Sequence, residues 1–144
     1  MVRIYVSSVI DAAADTVWSR IRDFNALPIW HPAIADCRIE NSEPSDRVGC
    51  IRHFHTRDGG LIRERLLGLS DYDYSCSYEI LESPMGVADY VATLKLTPVT
   101  DGNRCFAEWT AEFECAEGRE RELTQLIGDG VFQVGLDALK RAFR

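Results

Sequence analysis

No stretch of this chain approaches the roughly 20 consecutive apolar residues that a membrane-spanning helix requires. Its first residues, Met-Val-Arg-Ile-Tyr-Val, alternate in polarity instead of running from a basic segment into an apolar one, so no signal peptide is expected. A Gly-rich phosphate loop, a G-x-S-x-G elbow and an H-E-x-x-H helix are all missing, which removes common signatures of nucleotide binding, hydrolase and zinc-protease chemistry. Basic residues are outnumbered, 16 against 23 acidic, and they are scattered, so no nucleic-acid surface is expected. The five cysteines (Cys37, Cys50, Cys76, Cys105 and Cys115) are odd in number, widely spaced and never in C-x-x-C order. They read as reduced, mostly buried thiols of a cytoplasmic protein, small apolar packers rather than disulfides or a zinc site. Neither a metal nor a cofactor is expected.

What is present is an ordinary globular composition. With 144 residues, 46% of them hydrophobic, the chain can bury a substantial core, and residues 1–144 read as one domain without repeat, linker or low-complexity tract. Residues 3–10 alternate and are rich in Val, Ile and Tyr, the pattern of a strand. Asp15-Thr16 then offers N-cap chemistry, and Val17, Trp18, Ile21 and Phe24 recur at helical spacing. Pro28 and Pro32 bracket a second short helix or turn that holds Trp30 and His31.

Six further strands are expected over residues 34–41, 48–57, 61–69, 73–82, 89–98 and 103–115. Their separators, such as Asp58-Gly59-Gly60, Ser83-Pro84-Met85-Gly86 and Asp101-Gly102-Asn103, supply turn dihedrals. Connections this short join antiparallel neighbours, because a parallel crossover needs a dozen residues or more. After Glu117-Gly118 the period changes to 3.6: Leu123, Leu126, Ile127, Val131, Val134, Ala138 and Phe143 recur at helical spacing. The fold class is therefore α+β: a curved antiparallel seven-stranded sheet around a long C-terminal helix, with two short helices after the first strand. A hollow remains wherever the helix does not fill the concavity. Gly128, Gly130 and Gly135 each cost about 1 kcal/mol against Ala in a helix interior. Room for a ligand, and close packing or a kink, stand as alternative reasons for them.

Strand parity assigns the faces. Cys105, Ala107, Trp109, Ala111 and Phe113 share one face of the last strand, and Glu108, Thr110, Glu112 and Glu114 the other; the first set must face the helix. Tyr90, Ala92, Leu94 and Leu96 are inward on the strand before it, and Tyr74, Cys76, Tyr78 and Ile80 on the one before that. Between residues 61 and 69, Ile62, Leu66 and Gly68 share a face with Glu64, which puts a carboxylate on an apolar inward row. Burying it is costly unless it is paired, hydrogen-bonded or protonated. Arg52, on the neighbouring strand with Phe54, comes within about one pair position of Glu64 if the hairpin loop around Asp58-Gly59 has three residues. The two stand either as a polar anchor for a ligand or as a self-satisfied buried ion pair. His53 and His55 have the opposite parity and point away from the cavity. His31 lies near the cavity mouth, where it stands either as an acid or base with a pKa in the right range or, as an entrance histidine is expected to be, at the surface.

The ordered set Val17-Trp18 to Asp23-Phe24, Leu27-Pro28-Ile29-Trp30-His31-Pro32, Val48-Gly49-Cys50-Ile51-Arg52, Glu64-Arg65-Leu66, Tyr90, Trp109 and Phe113 resembles the START-like, or Bet v 1-like, helix-grip superfamily, particularly its polyketide cyclase/dehydrase branch. Residues Val48 to Ile80 also look like the plant abscisic-acid receptors of that superfamily. That likeness implies that the residues matching Arg52, Glu64 and Tyr90 face the cavity. The receptors' hormone-pairing lysine falls near Ala35, which argues against abscisic acid as the ligand. The resemblance also implies that the Ser83-Pro84-Met85-Gly86-Val87 loop forms a lip over the cavity.

The functional expectation is a binding protein for a small hydrophobic, cyclic or aromatic molecule, serving transport, sequestration or sensing. Arg52, Glu64 and Tyr90 orient its polar end, and Trp30, Tyr78, Trp109, Phe113 and Phe132 form the walls. The alternative is a cyclase or dehydratase in which Glu64 is the general base and Arg52 or Tyr90 stabilises an enolate oxygen. A third reading is a partner-binding module whose cavity is filled by its own side chains. The oligomeric state is not fixed by the sequence, and a homodimer stays open.

Overall fold

The computed structural model describes residues 1–144. Strand β1 (Val2–Ile10) is followed by helices α1 (Ala14–Ile21) and α2 (Leu27–Trp30) and then by six strands: β2 (Ile34–Ile39), β3 (Ile51–Thr56), β4 (Leu61–Ser70), β5 (Ser75–Glu82), β6 (Val87–Val99) and β7 (Arg104–Cys115). The C-terminal helix runs as α3 (Glu120–Ile127), a π-helical turn (Gly128–Gln133) and α4 (Val134–Ala142). The sheet order is β1-β7-β6-β5-β4-β3-β2, with every neighbouring pair antiparallel. The meander of β2 to β7 is thus extended by β1, which lies against β7 from Val2↔Phe113 to Ile10↔Cys105. No helix is long and apolar enough to cross a membrane.

Register shifts give the sheet its curvature. Beyond the one between Ile34 and Asp36 on β2, three fall between Arg63 and Glu64, between Leu66 and Gly68, and between Ala88 and Val91, and an extra residue on one strand bends it and tightens its twist. The third shift carries Asp89 in the left-handed region at φ 53, a conformation that costs a non-glycine residue energy and persists only where its surroundings enforce it. Its effect is to turn Tyr90 inward while Ala88 and Asp89 face solvent.

The C-terminal helix grips the concave face through Leu123, Ile127, Phe132, Leu136 and Leu139, each at most 1% exposed. Their spacing is four, five, four and three. The step of five falls in the π-helical turn, which inserts one residue and rotates the apolar stripe. A uniform 3.6 period therefore picks Leu126, Val131, Val134 and Ala138, whereas the structure leaves Leu126 exposed and the other three half-buried. Helix α1 also departs from expectation. It begins at Ala14 with Ala13 as its N-cap and no side-chain cap bond, so Asp15 lies in the first turn instead of capping it, where its charge favours the positive end of the helix. Short helix α2 carries Pro28 in its first turn, where its fixed φ suits a helix start, and buries Leu27 and Trp30.

Candidate functional site

Between the sheet and the C-terminal helix lies a cavity of about 310 Å³, with 13 hydrophobic residues among the 21 that line it. That is at the lower end of the range usual for small-molecule sites, roughly 300–1,000 Å³. The floor comes from the inward rows of β3 to β7, including Phe54, Ile62, Ile80 and Trp109, and the roof from Ile127, Gly130 and Val131. Arg57 and Asp58 at the β3–β4 turn, Pro84 and Met85 on the β5–β6 loop, and Leu126 surround the mouth.

Arg52 and Glu64 face each other directly across β3 and β4, closer than the expected one pair position. The link is a three-residue turn in which Thr56 N–H donates to Gly60 O at 2.9 Å. Both residues are 6% exposed. Arg52 Nε donates to Glu64 Oε1 at 2.8 Å, and Nη2 lies 2.7 Å from that same oxygen. Nη1 donates to Phe24 O at 3.3 Å. The guanidinium sits between aromatic faces, 3.9 Å from the centroid of Phe24 and 4.7 Å from that of Tyr78, where cation–π attraction offsets part of its lost hydration. Burial pushes the Glu64 carboxyl above the usual carboxylate range, and the Arg52 charge pulls it back. Nε and Nη1 of Arg52 thus donate to protein acceptors and Nη2 rests against Glu64 Oε1, whereas Glu64 Oε2 has no protein donor. No buried side-chain nitrogen or oxygen lacks a partner, so Oε2 is open to the cavity that Glu64 lines.

Two phenols complete the polar wall. The Tyr78 hydroxyl accepts from Trp109 Nε1–H at 3.0 Å, leaving its own hydrogen available to the cavity. Tyr90, aimed inward by the bulge at Asp89, stacks on Phe113 at 5.7 Å, and its hydroxyl makes no bond within the protein. Burial raises the pKa of both, so both remain protonated donors at neutral pH.

Arg52, Glu64, Tyr78, Tyr90 and Trp109 line the cavity together. Trp30, Phe113 and Phe132 do not; they are buried one layer behind it. Phe132 stacks on Trp109 with centroids 4.5 Å apart and planes 9° apart, and Trp30 packs against Trp109 at 5.8 Å. Parity identifies an inward row but not which members of it reach the hollow, because a neighbour's ring can cover them.

His31 departs from the surface position expected of it. It is 1% exposed, with its ring edge-on to Trp109. Its Nε2–H donates to Val131 O at 2.8 Å, and its Nδ1 accepts from Ala33 N–H at 3.2 Å. A carbonyl can only accept and a backbone amide can only donate, so the two partners select the neutral tautomer with hydrogen on Nε2. Desolvation lowers its pKa, against the opposing bond to Val131. With both nitrogens engaged, the ring ties α2 to the π-helical turn, and no nitrogen is left for a substrate. His53 and His55 lie on the outer face, against Glu40 at 3.4 Å and Asp36 at 2.9 Å.

Two of the three helical glycines separate by role, while a Cβ on Gly128 would make only ordinary contact with Ile4 at 3.5 Å. A Cβ on Gly135 would stand 2.8 Å from both His31 Cδ2 and Trp109 Cζ3, so close packing requires glycine there. Gly130 lines the cavity, and a Cβ on it would meet only Leu126 Cδ1 at 3.9 Å. The Ser83–Gly86 loop is held by Arg119, whose Nη1 donates to Met85 O at 2.7 Å.

Comparison with known proteins agrees with this architecture. The family described as polyketide cyclase/dehydrase and lipid transport matches residues 1–144. A Bacillus cereus protein designated XoxI is 30% identical, with a TM-score of 0.89 over 99% of this chain and 96% of that one. A Thermobifida fusca protein solved by NMR is 31% identical, with a TM-score of 0.89 over 99% of this chain and 93% of its own. A point mutant of Thalictrum norcoclaurine synthase, in complex with a transition-state analogue, shares the fold at 19% identity, with a TM-score of 0.75 over 98% and 92%.

Proposed function

The chain belongs to the polyketide cyclase/dehydrase and lipid transport family, and from that premise we propose that it binds a small, largely apolar ring compound in the cavity between sheet and C-terminal helix. The observation that carries this reading is the polarity of the wall. The lining is mostly apolar, and its deep polar groups converge from neighbouring strands: Glu64 on β4, Tyr78 on β5 and Tyr90 on β6. An apolar pocket with a few converging polar groups is the usual composition of a ligand site. A module filled by its own side chains would have no use for a carboxylate oxygen left without a donor.

Native mass spectrometry of freshly purified protein, with gas-phase release of whatever is bound, tests the reading. The expected result is a small organic molecule held at one per chain, or a thermal-shift response to phenols, quinones or fatty acids. An empty protein that responds to none of these removes the proposal.

One observation favours catalysis as a second reading. Glu64 Oε2 is open to the cavity, and burial raises the carboxyl's proton affinity, the condition a general base needs. On that reading Glu64 takes the α-proton of a carbonyl substrate, and the Tyr90 hydroxyl donates to the resulting enolate oxygen. Glu64→Gln separates the two. It abolishes turnover and preserves folding if the carboxylate is a base, and shifts only affinity if it is an anchor.

A further inference from the structure

Resting on the reading of the cavity as a binding site, we infer that its occupant is a neutral hydroxylated ring compound, with its hydroxyl seated between Glu64 Oε2 and the phenol groups of Tyr90 and Tyr78. The directions of the hydrogen bonds lead there. An ionised Glu64 is acceptor-only, and its Oε1 is occupied by Arg52 Nε at 2.8 Å and Nη2 at 2.7 Å. Oε2 therefore requires a donor from the ligand. Tyr78 has spent an acceptor position on Trp109 Nε1–H and has a hydrogen to give. Tyr90 has both a hydrogen and lone pairs unused. A hydroxyl is the simplest group that donates to one neighbour while accepting from another.

Charge excludes the other donors and anchors. A buried arginine in an apolar pocket is the expected seat of a ligand carboxylate. Here, however, the Arg52 charge is already matched by Glu64, with Nε donating to Oε1 and Nη1 to Phe24 O, and an incoming anion would face the Glu64 carboxylate in a medium that screens it poorly. A protonated amine would suit Oε2 but would bring a second positive charge beside Arg52. The paired charges of Arg52 and Glu64 leave the site neutral, and a neutral guest keeps it so. The apolar remainder of the wall, from Phe54 and Ile62 to Ile80 and Trp109, accepts the ring system, and about 310 Å³ holds one or two fused rings rather than a long acyl chain.

Isothermal titration of the full chain with β-naphthol, naphthalene and β-naphthoate tests this with three guests of nearly one shape. A hydrogen bond to a charged group adds about 1.5–3 kcal/mol, so β-naphthol is expected to bind at least about tenfold tighter than either of the others. In Glu64→Gln the amide turns an N–H₂ or a weaker neutral acceptor toward the guest, and most of that preference is lost. Tyr90→Phe lowers β-naphthol affinity severalfold and leaves naphthalene unchanged; it serves as the independent variant should Glu64→Gln fail to fold. Equal binding of the three guests, or tightest binding of β-naphthoate, overturns the hydroxyl assignment and leaves the binding site standing. Failure of all three to bind removes the binding reading itself.

Discussion

Arg52 directs both Nε and Nη2 onto a single oxygen of Glu64, at 2.8 and 2.7 Å, and leaves the second oxygen of that carboxylate to the cavity. A side-on pair would engage both oxygens and close the site on itself. The end-on arrangement follows from the tether on the other side of the guanidinium, where Nη1 reaches Phe24 O and the Phe24 and Tyr78 rings hold its plane.

Removing one member of this pair strands the other in a poorly solvated place. Arg52→Met is expected to cost about 3–5 kcal/mol in urea unfolding, whereas Arg52→Met combined with Glu64→Leu costs far less because no lone charge remains. Equal losses in the single and double variants would mean that the pair's packing, not its charge, sets the cost.

Two glycine substitutions only five residues apart should have opposite outcomes. Gly135→Ala drives a methyl to 2.8 Å from His31 and Trp109, and overpacking of this kind costs about 1–3 kcal/mol. Gly130→Ala meets no such obstacle and gains up to about 1 kcal/mol of helix propensity. Because Gly130 lines the cavity, the added methyl also weakens binding of the bulkiest guests. Thermal unfolding and guest titration of the two variants check both halves.

Stability should fall on mild acidification through His31. Desolvation holds its pKa below the ordinary 6.5, so the unfolded chain takes up a proton that the folded chain resists. The contribution of the neutral ring is complete above 6.5 and is lost as pH descends from there through the folded value. A series of urea midpoints from pH 7.5 to 5 is the measurement, and His31→Gln should flatten the slope in that window. An unchanged slope in the variant would assign the acid sensitivity elsewhere.

Tyr78→Phe deprives Trp109 Nε1–H of its acceptor inside the core. An unsatisfied buried donor costs about 1–3 kcal/mol, and chemical denaturation should show a loss in that range. A loss well under 1 kcal/mol would mean that the indole finds another partner.

The antiparallel succession of β2 to β7 was legible in the sequence because short turns join neighbouring strands, and the inward rows because a two-residue alternation records burial locally; the place of β1 beside β7 was not. The face of Trp109 or Leu94 follows from its immediate neighbours. Glu64 stood out for the same reason, as a charge on an apolar row. The apolar stripe of the C-terminal helix was only partly legible, since the π-helical turn adds a residue that a constant period cannot register. The full burial of His31 depends on Val131, 100 residues away, and on the space left by Gly135.

By itself the sequence determined the elements, their antiparallel succession and the polarity of each face, because hydrophobic periodicity and turn chemistry act between residues close along the chain. Only the tertiary structure decided which inward side chains reach the hollow, how large that hollow is, and which oxygen of Glu64 is left open. Those depend on bulges, a shifted helix register and side-chain rotamers set by contacts between segments far apart along the chain, which no local pattern encodes.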